Sequence, residues 1–396
     1  MVTHRVEGTG RRDRLALLGD LAAADAQGAI LVLDLAPLDR GNASKRRLNG
    51  WWITVLSNLL LGRYGDLKLK VILPEAHSIQ LQLLRGAFYF ALAQRPGKTD
   101  YADRSARSQQ LLESNSGTWS PRHGPVLIPE ALGEKLEEHT YLYSNTHVRA
   151  ESGYFRRYEA SAAFPWLGEV VPRSSNREGD LLREGFLTAT CDTFGEVADN
   201  ISTHAFNLRN PSFAAGWLGP QIVDRSRSCL LVGLTAGGGE RSFDRLHFLA
   251  FDNGFCIPRT LRWQHPDPLR FDSGASLMCR VLQGRLTDRE ITDHSGAGLW
   301  FLYGLARFAG GELTVISEDD LSDGQSAARV HAQIPAAELD QESSWSSETL
   351  PVPVRGTIVH LQLKIPRLSD IGPSEVAAKI EDFRRYRSAW PAMILT

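Results

Sequence analysis

The chain has 396 residues, 42% of them hydrophobic and 23% charged, which is ordinary for a globular protein and long enough for two domains. Its 44 Lys and Arg residues nearly balance its 46 Asp and Glu residues, so a net charge of −2 gives no electrostatic reason to expect nucleic acid or an anionic membrane as a partner. The four cysteines form no C-x-x-C pair, no apolar run approaches the ~20 residues that span a bilayer, and the N-terminus lacks an apolar secretion segment, so a cytoplasmic protein without a zinc or redox motif is expected.

Residues 1–95 show helical and strand patterns in alternation, which predicts an open α/β layer in a first domain of residues 1–120. The predicted helices cover residues 14–24, 44–61 and 79–94, and the predicted strands cover 30–35 and 67–73. Polar and turn residues dominate from residue 96 to about 177, and we interpret residues 121–180 as a linker with edge elements of a second domain.

A second α/β domain is predicted over residues 181–396. Apolar residues recur at helical spacing from 187 to 205, and two strands are predicted at 228–234 and 245–251. An apolar helix at 299–309 ends at two glycines, and strands at 312–317 and 357–363 precede a closing helix at 374–386.

Three polar side chains fall within one arc of the first of these helices: Glu196, Asn200 and His204. A carboxylate, an amide and an imidazole on one helix face could hold a hydrated metal ion and supply a general base. The same pattern is also compatible with an ordinary solvated helix face.

Three later segments carry turn residues at the ends of predicted elements. Asp252 and Gly254 follow a strand, where a carboxylate could accept a hydrogen bond from an exocyclic amine. Gly296 and Gly298 precede a helix, where backbone N–H groups could approach phosphate oxygens. Thr357 follows Gly356 at the start of a strand. Each segment alone is compatible with a simple turn or loop.

Together, and in this order, the four segments resemble the GHKL superfamily, which includes gyrase, Hsp90, MutL, histidine kinases and anti-sigma factor kinases. Its motifs read E-x-x-x-N, D-x-G-x-G, G-x-G-L with a helix and G-G-x-L-x-V, and a late G-T. The resemblance covers roughly residues 181–366 and implies the α/β sandwich of the Bergerat fold, with ATP and Mg²⁺ as ligands. One position departs from the pattern, because Cys256 stands where the family has the second glycine of D-x-G-x-G.

The resemblance also implies roles for individual residues. Asn200 would coordinate Mg²⁺, Asp252 would bind the adenine amine, and Glu196 would orient or deprotonate the attacking group. The implied nucleotide-binding set is Asn200, His204, Asp252, Gly254, Ile257, Gly296, Gly298, Leu299 and Thr357. A left-handed backbone at Cys256 would cost roughly 1–2 kcal/mol, so an altered loop is expected rather than a lost pocket.

The N-terminal region resembles, less closely, a STAS (anti-sigma antagonist) domain. The resemblance rests on residues 31–35, a helix, residues 71–74, and a second helix that contains residues 84–88. It implies a protein-interaction domain, with Ser44 as the nearest candidate for phosphorylation. A protein partner is therefore expected, and whether the chain forms a homodimer stays open.

Three functions fit these expectations. The first is a slow ATPase or ATP-dependent switch with Glu196 as the base. The second is a serine/threonine protein kinase of the anti-sigma type, whose substrates are STAS domains. The third is a non-catalytic nucleotide sensor in which ATP shifts a lid at residues 285–295.

Overall fold

The predicted α/β class is confirmed, because helices accompany one parallel and one antiparallel sheet. The computed structural model describes residues 1–39, 50–102, 125–126, 138–145, 167–200, 230–264, 272–283 and 297–365, apart from short gaps within these ranges, together with Leu112 and a few positions between 374 and 381. The chain divides into two compact units. The first comprises Met1–Trp119, Ile128–Leu136 and Val352–Arg355, and the second comprises Ser120–Leu127, Glu137–Pro351 and Gly356–Thr396.

The first unit contains a parallel sheet with the strand order β1-β2-β3-β4. In chain order its elements are β1 (Val2–Arg5), α1 (Arg11–Ala26), β2 (Leu31–Asp34), α2 (Gly50–Leu61), β3 (Leu69–Ile72), α3 (Phe88–Ala93) and β4 (Thr99–Ala102). The first three residues of β2 are all buried, as expected for an inner strand of a parallel sheet. The predicted helices and strands of residues 1–95 correspond to α1, β2, α2, β3 and α3, although residues 41–49 lie outside the described part.

Helix α2 is buried over most of its length. Every residue from Trp52 to Leu60 is at most 3% exposed, including the polar Ser57 and Asn58. The Ser57 hydroxyl donates to the Ile53 carbonyl at 2.9 Å, within the same helix. The Asn58 amide instead binds both backbone groups of Arg355, donating to its carbonyl at 2.9 Å and accepting from its N–H at 3.3 Å. Both polar side chains are therefore satisfied inside an apolar environment.

A buried guanidinium holds the chain that follows α2. Arg95 is 3% exposed, and its guanidinium donates to the backbone carbonyls of Leu60, Tyr64 and Leu67. The Leu60 carbonyl belongs to the last turn of α2, where backbone acceptors lack partners inside the helix. Burial lowers the pKa of Arg95 to about 10, so the side chain remains charged at neutral pH.

Replacing Arg95 with leucine should destabilise the protein by at least about 3 kcal/mol, because three backbone carbonyls would lose their donors in a dry interior. Chemical unfolding of the wild type and Arg95→Leu measures the difference. The control is Arg63→Leu, which removes an exposed arginine of the same segment and should cost less than about 0.5 kcal/mol. Equal stabilities of the two variants would contradict a structural role for Arg95.

The second unit contains an antiparallel sheet with the strand order β11-β10-β9-β12-β8-β7-β6-β5. Its strands are β5 (Pro125–Val126), β6 (Glu138–Asn145), β7 (Leu230–Gly239), β8 (Ser242–Asp252), β9 (Gly311–Glu318), β10 (Ala327–Ile334), β11 (Ser344–Leu350) and β12 (Thr357–Lys364). Its helices are α4 (Arg177–Asn200), α5 (Ile257–Gln264), α6 (Gly274–Leu282) and α7 (Ala297–Ala309). Strands β5 and β6 lie at one edge of the sheet, within the segment predicted as a linker with edge elements.

One face of this sheet packs against the helices. Alternate residues of the inner strands, such as Phe248 and Leu361, join one buried cluster with residues of α4, α6 and α7. Phe186 of α4 and Phe308 of α7 stack with ring centroids 6.2 Å apart. The described residues of this unit therefore form a helical layer on one side of an antiparallel sheet.

Candidate functional site

Three strand ends meet at one end of the sheet of the second unit. Strand β12 lies between β8 and β9, with Ile358 opposite Phe251 and Thr357 opposite Ser317. This register places the last residue of β8, Asp252, beside the first residue of β12. Segments that are far apart in the sequence therefore come together at a single site.

Asp252 is a buried carboxyl group at this site, with only 1% of its surface exposed. One carboxyl oxygen accepts a hydrogen bond from the Gly254 N–H at 2.9 Å, which closes a tight turn after β8, and the backbone of Thr357 also favours the ionised carboxylate. Desolvation outweighs both effects and raises the pKa of Asp252 to about 8. A buried acid with such a pKa is a common feature of functional sites.

Gly356 lets the backbone of β12 approach Asp252. Its φ is +69°, in the left-handed region that favours glycine. A Cβ atom at this position would lie 2.3 Å from the Asp252 carbonyl oxygen and 2.5 Å from its Oδ1. Both the conformation and the lack of space therefore require glycine here.

Ser317, at the end of β9, connects three parts of the site. Its hydroxyl accepts from the Ile257 N–H at 3.0 Å, donates to the Gly356 carbonyl at 3.1 Å, and lies 3.0 Å from Oγ1 of Thr357. A hydroxyl has one proton, so when Ser317 donates to Gly356, Thr357 must donate to Ser317. In that arrangement Thr357 Oγ1 offers only acceptor capacity to a ligand.

Helix α5 follows the Asp252 turn directly and is tied to the end of β9. Cys256, at the position where the family motif has glycine, is buried, and its carbonyl accepts the Thr260 N–H at 3.1 Å as the first bond of the helix. Arg259 pairs with Glu318 at 3.3 Å, and Arg262 pairs with Asp320. These contacts hold α5 against the end of β9 and the residues that follow it.

The structure thus brings together four of the predicted nucleotide-binding residues, namely Asp252, Gly254, Ile257 and Thr357. Glu196 and Asn200 lie in the last two turns of α4, and Gly298 and Leu299 lie in the first turn of α7, but these four residues are placed only by their backbone. The other predicted features lie outside the described residues, and these are His204, Gly296, Ser44 and the lid at 285–295.

In the described part of the chain, no group of three or more His, Cys, Asp or Glu side chains could hold a metal ion. Among the same residues, none of the helices has the length and apolarity needed to cross a membrane.

Comparison with known proteins found no match to this chain. Neither the family models, the curated proteins nor the solved structures include a match to the chain. The function must therefore be argued from the site itself.

Ser317 is a site residue that motif reasoning misses. In β9 the core-facing positions alternate, with Leu313 and Val315 apolar and Ser317 polar. A serine at a position whose pattern demands an apolar residue signals a buried hydrogen-bond partner. The sequence could have raised that expectation, but it could not have identified Gly356 and Thr357 as the partners.

Proposed function

We propose that this chain binds ATP with Mg²⁺ at the Asp252 site and acts as a nucleotide-dependent regulatory protein through a protein partner. The observation that carries the proposal is a buried carboxyl group held at a strand end between the Gly254 turn and the Gly356–Thr357 backbone. The Bergerat type of α/β sandwich belongs to the same proposal.

Adenine fits the chemistry of this end of the sheet. Its exocyclic amine is a donor, and an ionised Asp252 is an acceptor with few competing water molecules because it is buried. Sites that hydrogen-bond a ligand group from a desolvated position discriminate strongly against analogues that lack that group. A base without the amine would leave the carboxylate without its partner, so we expect a preference for adenine.

The phosphate end of the ligand is expected at α4 and α7. These helices pack against each other through Phe186 and Phe308, so the segments that carry Asn200 and Gly298 belong to neighbouring elements. The N-terminus of α7 favours an anion, and an amide oxygen is a suitable Mg²⁺ ligand. Glu196 lies one turn before Asn200 on α4 and is the proposed base for slow ATP hydrolysis.

Binding of Mg-ATP, measured by calorimetry, tests the proposal directly. The wild type should bind, and Asp252→Asn should bind about 10- to 100-fold more weakly, because a charge-assisted hydrogen bond to the amine is lost. Asp20→Asn is the matched control, since Asp20 pairs with His4 in the first unit. Absence of binding to the wild type would overturn the proposal.

The fate of the γ-phosphate separates a switch from the alternatives. With γ-labelled Mg-ATP, slow phosphate release that disappears in Glu196→Ala supports an ATPase. Label that appears on protein supports a kinase, and binding with neither product supports a sensor.

The affinity for ATP should rise with pH between 6 and 8. The amine binds the ionised carboxylate, whereas a pKa of about 8 leaves most Asp252 side chains protonated at pH 6 in the free protein. Below that pKa each pH unit should change the affinity about tenfold, with a proton released on binding. Calorimetry in buffers of different ionisation enthalpy measures both effects. Affinity that falls with rising pH would mean that Asp252 donates a proton to the base, which contradicts recognition through the amine.

A further inference from the structure

Three polar side chains lie in a row across the end of the sheet of the second unit: Asp252 of β8, Thr357 of β12 and Ser317 of β9. Thr357 lies directly opposite Ser317. On its other side, Asp252 continues the register in which Phe251 is opposite Ile358. Thr357 is therefore the middle member of the row.

The three side chains share the helix-facing side of the sheet. The residues two positions before Asp252 and Ser317, and two positions after Thr357, all belong to the buried cluster beneath the helices. Side chains alternate along a strand, so the polar members of the row point the same way. Opposite residues have Cβ atoms about 4.5–5.5 Å apart, and a ligand group that contacts Asp252 is therefore within reach of Thr357 as well.

We infer that Ser317 is a positioning residue that fixes the Thr357 hydroxyl as an acceptor, so that Asp252 and Thr357 together bind the two protons of one primary amino group. This inference rests on the proposed function, because it specifies which feature of the base the same site selects. The ligand class is a base with an exocyclic primary amine, and a base with a carbonyl group at that place is rejected.

The directions of the hydrogen bonds around Ser317 carry the inference. Its hydroxyl oxygen lies 3.0 Å from the Ile257 nitrogen, 3.1 Å from the Gly356 carbonyl oxygen and 3.0 Å from Oγ1 of Thr357. A backbone N–H can only donate and a carbonyl can only accept, so the single proton of Ser317 goes to Gly356, and Thr357 donates to Ser317. If Ser317 donated to Thr357 instead, two buried oxygens would face each other at 3.1 Å without a proton between them.

Thr357 then presents only lone pairs to a ligand. Its exposed fraction is 7% and that of Ser317 is 0%, so Thr357 is the hydroxyl of this pair that a ligand can reach. An amino group that donates two hydrogen bonds of about 2.9 Å at about 120° holds its acceptors about 5 Å apart, which matches the spacing of opposite side chains. A carbonyl oxygen in the same place would meet the ionised Asp252 and a second acceptor.

A purely structural role for Ser317 is the alternative, and ITP separates the two because it carries a carbonyl group where ATP carries the amine. The quantity to measure is the ratio of the Kd for Mg-ITP to the Kd for Mg-ATP. Ser317→Ala frees the Thr357 hydroxyl to donate to the carbonyl, so this ratio should fall about tenfold. A loss of packing or stability alone would weaken both nucleotides alike and leave the ratio unchanged.

Two further variants show whether the effect passes through Thr357. Thr357→Val alone should lower the ratio, because it removes the acceptor that the amine uses, and this keeps the test decisive if Ser317→Ala does not fold. Adding Ser317→Ala to Thr357→Val should cause no further change, since no hydroxyl remains to be oriented. Thr314→Val is the matched control: it removes a buried hydroxyl of the same strand that contacts Nδ1 of His331 at 3.0 Å, on the other side of the sheet, and should keep the wild-type ratio.

Calorimetry at pH 8.5 measures these ratios with Asp252 mainly ionised, because that pH lies above its pKa of about 8. An unchanged ratio in Ser317→Ala, or an equal fall when Ser317→Ala is added to Thr357→Val, would overturn the positioning role while ATP binding stands. If Ser317→Ala does not fold, an unchanged ratio in Thr357→Val has the same meaning. A wild type that does not bind ATP would overturn the proposed function, and the inference with it.

Discussion

Gly356→Ala should reduce ATP affinity at least about 100-fold and destabilise the second unit by about 2–5 kcal/mol. The added methyl group would lie 2.3 Å from the Asp252 carbonyl oxygen and 2.5 Å from its Oδ1, so β12 or Asp252 must move. The left-handed conformation adds about 1–2 kcal/mol for an alanine, and overpacking adds typically 1–3 kcal/mol. Because the methyl group points at the carboxyl group itself, we expect a larger structural change at the binding site than in the rest of the unit.

Gly97→Ala is the matched control for this substitution. Gly97 has a φ of +71°, nearly the same as Gly356, but nothing lies within 4 Å of a Cβ placed on it. Its replacement should therefore cost only the conformational strain, and ATP binding should be unaffected. Calorimetric affinity and chemical unfolding of both variants separate strain from collision. If Gly356→Ala bound ATP as well as Gly97→Ala does, the close approach of Gly356 to Asp252 would have no part in binding.

The ligand-free wild type should lose stability relative to Asp252→Asn as the pH rises from about 4 to about 8. Burial raises the pKa of Asp252 from its ordinary 3.8 to about 8, so between these values the folded protein retains a proton that the unfolded chain has lost. Stability therefore falls with rising pH across this window, and the contribution is fully present only below pH 3.8. The loss of stability between these two pKa values is roughly 5 kcal/mol at most, which is comparable to the total stability of many domains.

The asparagine variant has no proton to lose, and its side-chain carbonyl oxygen can still accept from the Gly254 N–H. Unfolding of both proteins in denaturant at pH 5, 6, 7 and 8 gives the stability difference at each pH. All other titrating groups are shared by the two proteins, so their contributions to the pH dependence of stability cancel in this difference. A difference that does not change with pH would show that Asp252 titrates at its ordinary pKa, and the expected pH dependence of ATP binding would then fail as well.

The local elements of the site are readable in the sequence because each has a regular apolar period. Residues 359–364 of β12 alternate between buried and more exposed positions, five consecutive residues of β9 are buried as in an inner strand, and the apolar sequence of α7 ends at two glycines. The turn chemistry of Asp252 and Gly254 is equally local. These signals suffice to predict a carboxylate at a strand end.

Other elements escaped prediction for different reasons. Helices α5 and α6 have only 8 and 9 residues, too few to establish a helical period. Strand β10 does alternate, with Ala328, Val330 and Ala332 buried, but two of these three residues are alanines and give a weak signal.

Contacts between residues that are far apart in the sequence could not be predicted for a different reason. Nothing local to Asn58 or Arg355 indicates that they are hydrogen-bonded, because the two positions come together only through the tertiary fold. The same holds for Ser317 and Thr357, whose pairing depends on β12 lying next to β9. Strand order decides these contacts, and a single sequence contains no direct signal for it.

The position of β12 constrains how the protein can be made. This strand comes last in the chain among the described strands, yet it pairs with β8 on one side and β9 on the other. Until the ribosome has released residue 364, β8 and β9 each present an unpaired edge, and Asp252 lacks the backbone that buries it. The sheet must close by inserting a late strand between two early ones, which is a slow, non-local step and exposes edges that can pair with other chains. A nascent chain halted before Thr357 would therefore be vulnerable to aggregation, with the edges of β8 and β9 both open to other chains.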